Sequence, residues 1–173
     1  MNKLIPFTIL LITAIICSCK KDDDSTLQPK GNYPQASTTS FTLYSNNWGH
    51  IGTFGNPGDG YEADLLATNI SNDIASTGTV LCYVSFDNVN WIQISFTLPL
   101  GTSPTYPYSE SWNGGFRTGN YFIDVQDNDF LTSQPNGVVY ARVVAMTHAA
   151  RMKNPMMDLS NYQEVKRVYN LND

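Results

Sequence analysis

Between residues 80 and 98 the chain writes two strand patterns in succession. Val80 to Phe86 (VLCYVSF) is almost continuously apolar, as in a central strand. Ile92, Ile94, Phe96 and Leu98 then alternate with Gln93, Ser95 and Thr97, the pattern of a half-buried strand. Asp87-Asn88-Val89-Asn90 between them is a short polar turn. The expectation is a β-hairpin from Val80 to Leu98.

Other strand signals surround it: Phe41 to Tyr44, Tyr61 to Leu65, Tyr121 to Val125 and Val138 to Met146. The segment from Pro99 to Gly115 carries three prolines and three glycines and reads as a long connection, since proline cannot donate to a ladder. At the C-terminus the period changes. Ser160-Asn161-Tyr162-Gln163 fits a capping box, and Tyr162, Val165 and Tyr169 share one helical face. The predicted fold is mostly β: an antiparallel β-sandwich, or a partly open barrel, with a short C-terminal helix. No internal repeat and no second folded domain is visible. The expected organisation is a signal at 1–18, a linker at 19–39 and one β-rich domain at 40–173.

The N-terminus explains the first two segments. Lys3 precedes an uncharged apolar run of 13 residues, Leu4 to Ile16, too short for a spanning helix of about 20. The run exits through Ile16-Cys17-Ser18-Cys19, which resembles a bacterial lipobox. The resemblance implies cleavage before Cys19, a thioether from its thiol to a diacylglycerol, and acylation of its new amino group. Two or more buried acyl chains anchor a protein stably.

Lys20, Lys21, Asp22, Asp23 and Asp24 follow, a run too charged to enter a bilayer. It is similar to the charged export tag of Bacteroidota-type surface lipoproteins. That resemblance implies an outer-membrane chain facing outward, the alternative being a periplasm-facing one. Residues 25–39 have the Pro, Gly, Ser, Thr and Gln content of a linker. A flexible coil over residues 20–38 reaches about 25 Å on average. A second resemblance runs from the Val80 strand through Trp91 and Arg142-Val143-Val144 to Asp158–Val165 and Tyr169-Asn170-Leu171. These features look like a group of small Bacteroidota-type lipoproteins, which implies fold and location and no activity.

Cleavage leaves Cys82 as the remaining thiol, read as a small buried hydrophobe. Nine acidic residues and one basic lie from Asp59 to Phe130, against five basic and two acidic from Arg142 to Arg167. The net negative balance argues against nucleic acid as a partner.

Chemistry is sparse. His50 and His148 lie in no zinc spacing, and no nucleophile elbow or phosphate-cradling loop occurs. No cofactor is implied. Asp124, Asp127 and Asp129 are an oxygen-rich run without EF-hand spacing, read as a polar turn rather than a calcium site. Glu62 and Glu110 are a conceivable glycosidase pair whose separation only a structure gives. Aromatics are the better lead. Trp48, Tyr106, Tyr108 and Trp112 sit among polar, Pro- and Gly-rich residues, where flat faces beside amides suit a glycan or protein ligand. Trp91 reads as core. The function expected is a membrane-anchored binding or interaction module. The alternatives are an accessory subunit of an envelope complex and, third, an enzyme with an unfamiliar site.

Overall fold

The computed structural model describes residues 36–101 and 108–172. The signal segment, Cys19, the Lys20–Asp24 run and Tyr106 lie outside the described residues. β1 (Ala36–Leu43), β2 (Gly49–Ile51) and β3 (Gly60–Leu66) lead to α1 (Asn72–Thr77) and β4 (Thr79–Ser85). β5 (Ile92–Gln93), β6 (Phe96–Pro99), β7 (Ser109–Arg117), β8 (Asn120–Asp127) and β9 (Val139–Met146) follow. α2 (His148–Lys153) and α3 (Tyr162–Tyr169) close the chain. Among the described residues the strands form two antiparallel sheets, β1-β9-β4-β5 and β2-β3-β8-β7-β6, that do not close into a barrel.

β4 explains why its sequence is apolar at every step. Its register on β9 sets Val80, Cys82 and Val84 opposite Ala145, Val143 and Ala141, and these face the second sheet. Leu81 and Tyr83 point the other way, with Val144 and Met146, and are covered by Ala150, Tyr162, Val165 and Leu171 from the helical end of the chain. The described residues are therefore layered as α2 and α3, first sheet, second sheet, while α1 packs into the core between the sheets. Cys82 is buried and unpaired, and burial pushes its thiol well above the usual range.

Three local expectations change. β4 pairs with β5 over only two positions, Tyr83↔Gln93 and Val84↔Ile92. The chain then crosses at Ile94–Ser95, and β6 joins β7 in the other sheet. One alternating run thus serves two sheets, because alternation fixes which side chains are apolar and not which neighbour the backbone meets. The predicted long connection shrinks to residues 100–108. Pro99 is tolerated because β6 is an edge strand. Gly114 and Gly115 lie inside β7, where rings from β8 occupy the Cβ positions: an added Cβ would stand 2.6 Å from the Tyr121 hydroxyl and 2.3 Å from the Phe122 ring. The linker reading also ran four residues too far, since β1 begins at Ala36 and pairs along its whole length with β9. Its Ser and Thr residues give no hydrophobic contrast, although Thr suits an edge strand.

Polar groups organise the turns. The Asp87 carboxylate accepts from the Val89 and Asn90 amides, the Asn90 side chain and the Ser85 hydroxyl. These bonds hold its carboxyl below the ordinary range. At α3 the cap is Asn161, whose Oδ1 accepts from the Glu164 amide, one residue later than the capping box predicts. Ser160 is instead held by Asp158 through its amide and hydroxyl. Asn161→Ala should therefore cost about 1 kcal/mol of stability. Ser160→Ala, read by the same denaturant melts, should cost distinctly less.

Candidate functional site

Of the aromatic platform expected from Trp48, Tyr106, Tyr108 and Trp112, the two indoles are not at the surface, and Tyr106 lies outside the described residues. Trp48 is 4% and Trp112 2% exposed, and both belong to the main core. Trp112 faces inward from β7 opposite Val125. It meets Trp48 edge-on at 5.7 Å, Phe86 edge-on at 5.2 Å and Phe96 stacked at 5.9 Å. Its Nε1 donates to Glu110 Oε1 at 2.6 Å. Tyr108 is exposed at 39%. Strand parity, which local polarity does not reveal, turns Trp112 inward, and Trp48, just before β2, packs edge-on against it. Trp112→Ala should lower stability by about 3–5 kcal/mol in denaturant melts. A ligand platform on the surface would leave the melt unchanged.

Parity also decides the carboxylates. Glu62 pairs with Asp124 on the outer face of the second sheet, and Glu110 pairs with Asp127 on the inner face. The Glu62 and Glu110 side chains thus emerge on opposite sides and do not form a catalytic pair. Asp124 and Asp127 likewise point apart, and no His, Cys, Asp or Glu group suited to a metal occurs among the described residues.

A polar network instead closes one end of the sandwich. Asp59 is buried; its Oδ1 lies 2.7 Å from His50 Nε2, and its Oδ2 accepts from the Thr132 amide. Thr132 Oγ1 donates to the Asp59 carbonyl and accepts from the Asp127 amide. Removal from water, with Glu110 and Asp129 adding negative charge, raises the Asp127 carboxyl to about 6. Its proton is then held more tightly in the folded than in the unfolded chain, so its contribution to stability is lost as pH rises from about 4 to 6. Asp127→Asn should flatten that decline. At pH 7.5 the variant should be more stable than the parent by on the order of 2 kcal/mol, with the two converging near pH 4. The imidazole of His50 is exposed and oriented by Asp59, but among the described residues no hydroxyl or thiol is hydrogen-bonded to it.

The surface concavity lies around Trp91, the indole read from sequence as core. It is only part-buried, at the end of the β4–β5 turn. The Arg142 guanidinium, from the outer face of β9, lies 4.0 Å over its ring and 4.9 Å over that of Tyr162. The two rings tilt together at 5.4 Å, and Tyr83 meets Tyr162 at 5.0 Å. Tyr83 Oη donates to the Leu159 carbonyl at 2.5 Å and ties the segment before α3 to the sheet.

Three open hollows meet at this indole. One, of about 510 Å³, is lined by Gln93, Ser95 and Ser160 with Ile92 and Ile94. A second, about 420 Å³, is bordered by Asn90, Asn161, Gln163, Asp158 and Tyr162. The third, about 220 Å³, has Asn88, Thr42, Tyr140 and Arg142. Charge is limited to Arg142 and Asp158 in their linings, and Asp158 is engaged by Ser160. A larger hollow, about 560 Å³, sits at the two ends of the described chain and presents neither a charged side chain nor an indole. No family model, no curated protein and no solved structure matches the chain.

Proposed function

We propose that this is a membrane-anchored lipoprotein whose β-sandwich domain binds an extracellular ligand, a neutral glycan, at the Trp91 hollows. Cys19 carries the acyl chains, and the Lys20–Asp24 run marks the chain for the outward face of an outer membrane. The observation that supports binding is the lining chemistry. A part-buried indole is bordered by side-chain amides and hydroxyls of Asn88, Asn90, Gln93, Ser95, Asn161 and Gln163. Such groups donate and accept to sugar hydroxyls, while the ring covers an apolar sugar face. Arg142 and Tyr162 hold the indole in place, so little order has to be gained on binding.

The test is an array of neutral oligosaccharides probed with the lipid-free chain. Gln163→Ala, at an exposed position, should weaken binding severalfold without moving the melt. Asn90→Ala should weaken it similarly with a small loss of stability, because the Asn90 side chain also donates to Asp87. Trp91→Ala should weaken it tenfold or more. Retention of full binding by all three variants, or no bound oligosaccharide, overturns the reading.

A second reading, an accessory subunit of an envelope complex, is favoured by one feature. The outer face of the second sheet, with Glu62, Asp64, Asn113 and Asp124, has no helix over it among the described residues, unlike the first sheet. Protein partners crosslinked to Asp64→Cys or Asn113→Cys, in place of glycan binding, would support it.

A further inference from the structure

α2 ends in a feature that the packing of the domain does not use. Met156 is 94% exposed and Met152 56% exposed, while the next residue, Met157, turns in against the helix-side core. The exposed pair is held out by design of the local backbone. Thr147 caps the start of α2 by accepting from the Ala150 amide. Arg151 donates to the carbonyls of Asn154 and Pro155, at 2.6 and 3.1 Å, and so fixes the turn that projects Met156. Arg151 and Lys153 place two cations in the last turn of the helix beside the methionines.

The position of this turn matters as much as its chemistry. β1 enters the domain at Ala36, and Ala36 is paired with Met146, two residues before α2 begins. The chain that carries Cys19 therefore joins the domain at the same end of β9 from which α2 departs. Sixteen residues, 20–35, separate Cys19 from Ala36 and span at most about 55 Å. Charge points the same way. The acidic side chains Glu62, Asp64 and Asp124 lie on the outer face of the second sheet, the layer farthest from α2 and α3.

We propose that the α2 turn, with Met152 and Met156, docks on the lipid surface to which the chain is anchored. The methionines enter the headgroup boundary, and Arg151 and Lys153 face phosphate-bearing headgroups. The proposal rests on the lipid anchor at Cys19. Tethering makes it workable, because a short linker holds the domain at a millimolar effective concentration. A contact with a millimolar dissociation constant, negligible for a free domain, is then about half populated. Docking by α2 would direct the acidic sheet away from the membrane. Arg142 and Trp91 would stand off the surface, since Arg142 lies four residues along β9 from Met146, about 13 Å.

The experiment uses the full chain in its own membranes, carrying an environment-sensitive NBD label at Met156→Cys. Cys82 is buried, and acylated Cys19 has no free thiol, so the parent chain should take no label. A control label goes at Thr97→Cys, on the exposed outer face of the second sheet. Flotation on a density gradient reports the anchor separately. The expected result is that both chains float, with emission blue-shifted at 156 and water-like at 97. Adding Met152→Asp to the labelled chain should return the emission at 156 to the water-like value. Water-like emission at 156 in a chain that floats overturns the docking alone. A chain that does not float overturns the anchor, and the docking with it.

Discussion

Double-sided burial of β4 and β9 is the constraint on which the rest of the structure depends. A sheet with one wet face needs apolar side chains at every second position. These strands carry them at nearly every position, so water on either face would expose Leu81, Tyr83, Val144 and Met146 or their inward neighbours. The second sheet covers one side. The other is covered by α2, α3 and the segment between them, although those helices are short and carry little stability of their own. Their amphipathic contacts with β4 and β9 are what order them, and Tyr83 fastens the segment before α3 by a hydrogen bond to Leu159.

The same cover creates the proposed binding site. Tyr162 is drawn onto the sheet by burial and brings its ring beside Trp91. Arg142, on the outward parity of β9, is left to stack over both. A guanidinium placed over two rings keeps its charge while covering apolar surface, which rigidifies the indole without removing it from solvent. The hollows are thus a consequence of fitting helices to a sheet edge where β5 is only two residues long. The polar end of the sandwich follows a different logic. Asp59 and Thr132 satisfy backbone groups where β3 and β8 leave the ladder, and burial there, with neighbouring carboxylates adding to it, is what raises Asp127.

Much of the fold was legible residue by residue. The apolar run at Val80–Phe86, the polar turn at Asp87–Asn90, and the helical face of Tyr162, Val165 and Tyr169 all follow from spacing. The residues of the proposed site were not legible, and the reason is that tertiary placement decides which rings are covered. Trp48 and Trp112 sit in polar stretches yet are buried: Trp112 shares a face of the sheet with Val125, and Trp48, just before β2, packs against its ring. Trp91 opens a strand-like run and looks internal, yet its position at a turn leaves it at the surface. No local signal in the chain distinguishes these cases.

The sequence by itself determined the period of each element, the class of the fold and the buried thiol of Cys82. These depend on interactions within a few residues, or on composition alone. The tertiary structure decided that residues 92–99 divide between two sheets, that Gly114 and Gly115 are strand rather than loop, and that the carboxylates of Glu62 and Glu110 point apart. It also decided which indole meets water. Each of these depends on the register between strands far apart in the chain, and a shift of one residue reverses every side chain.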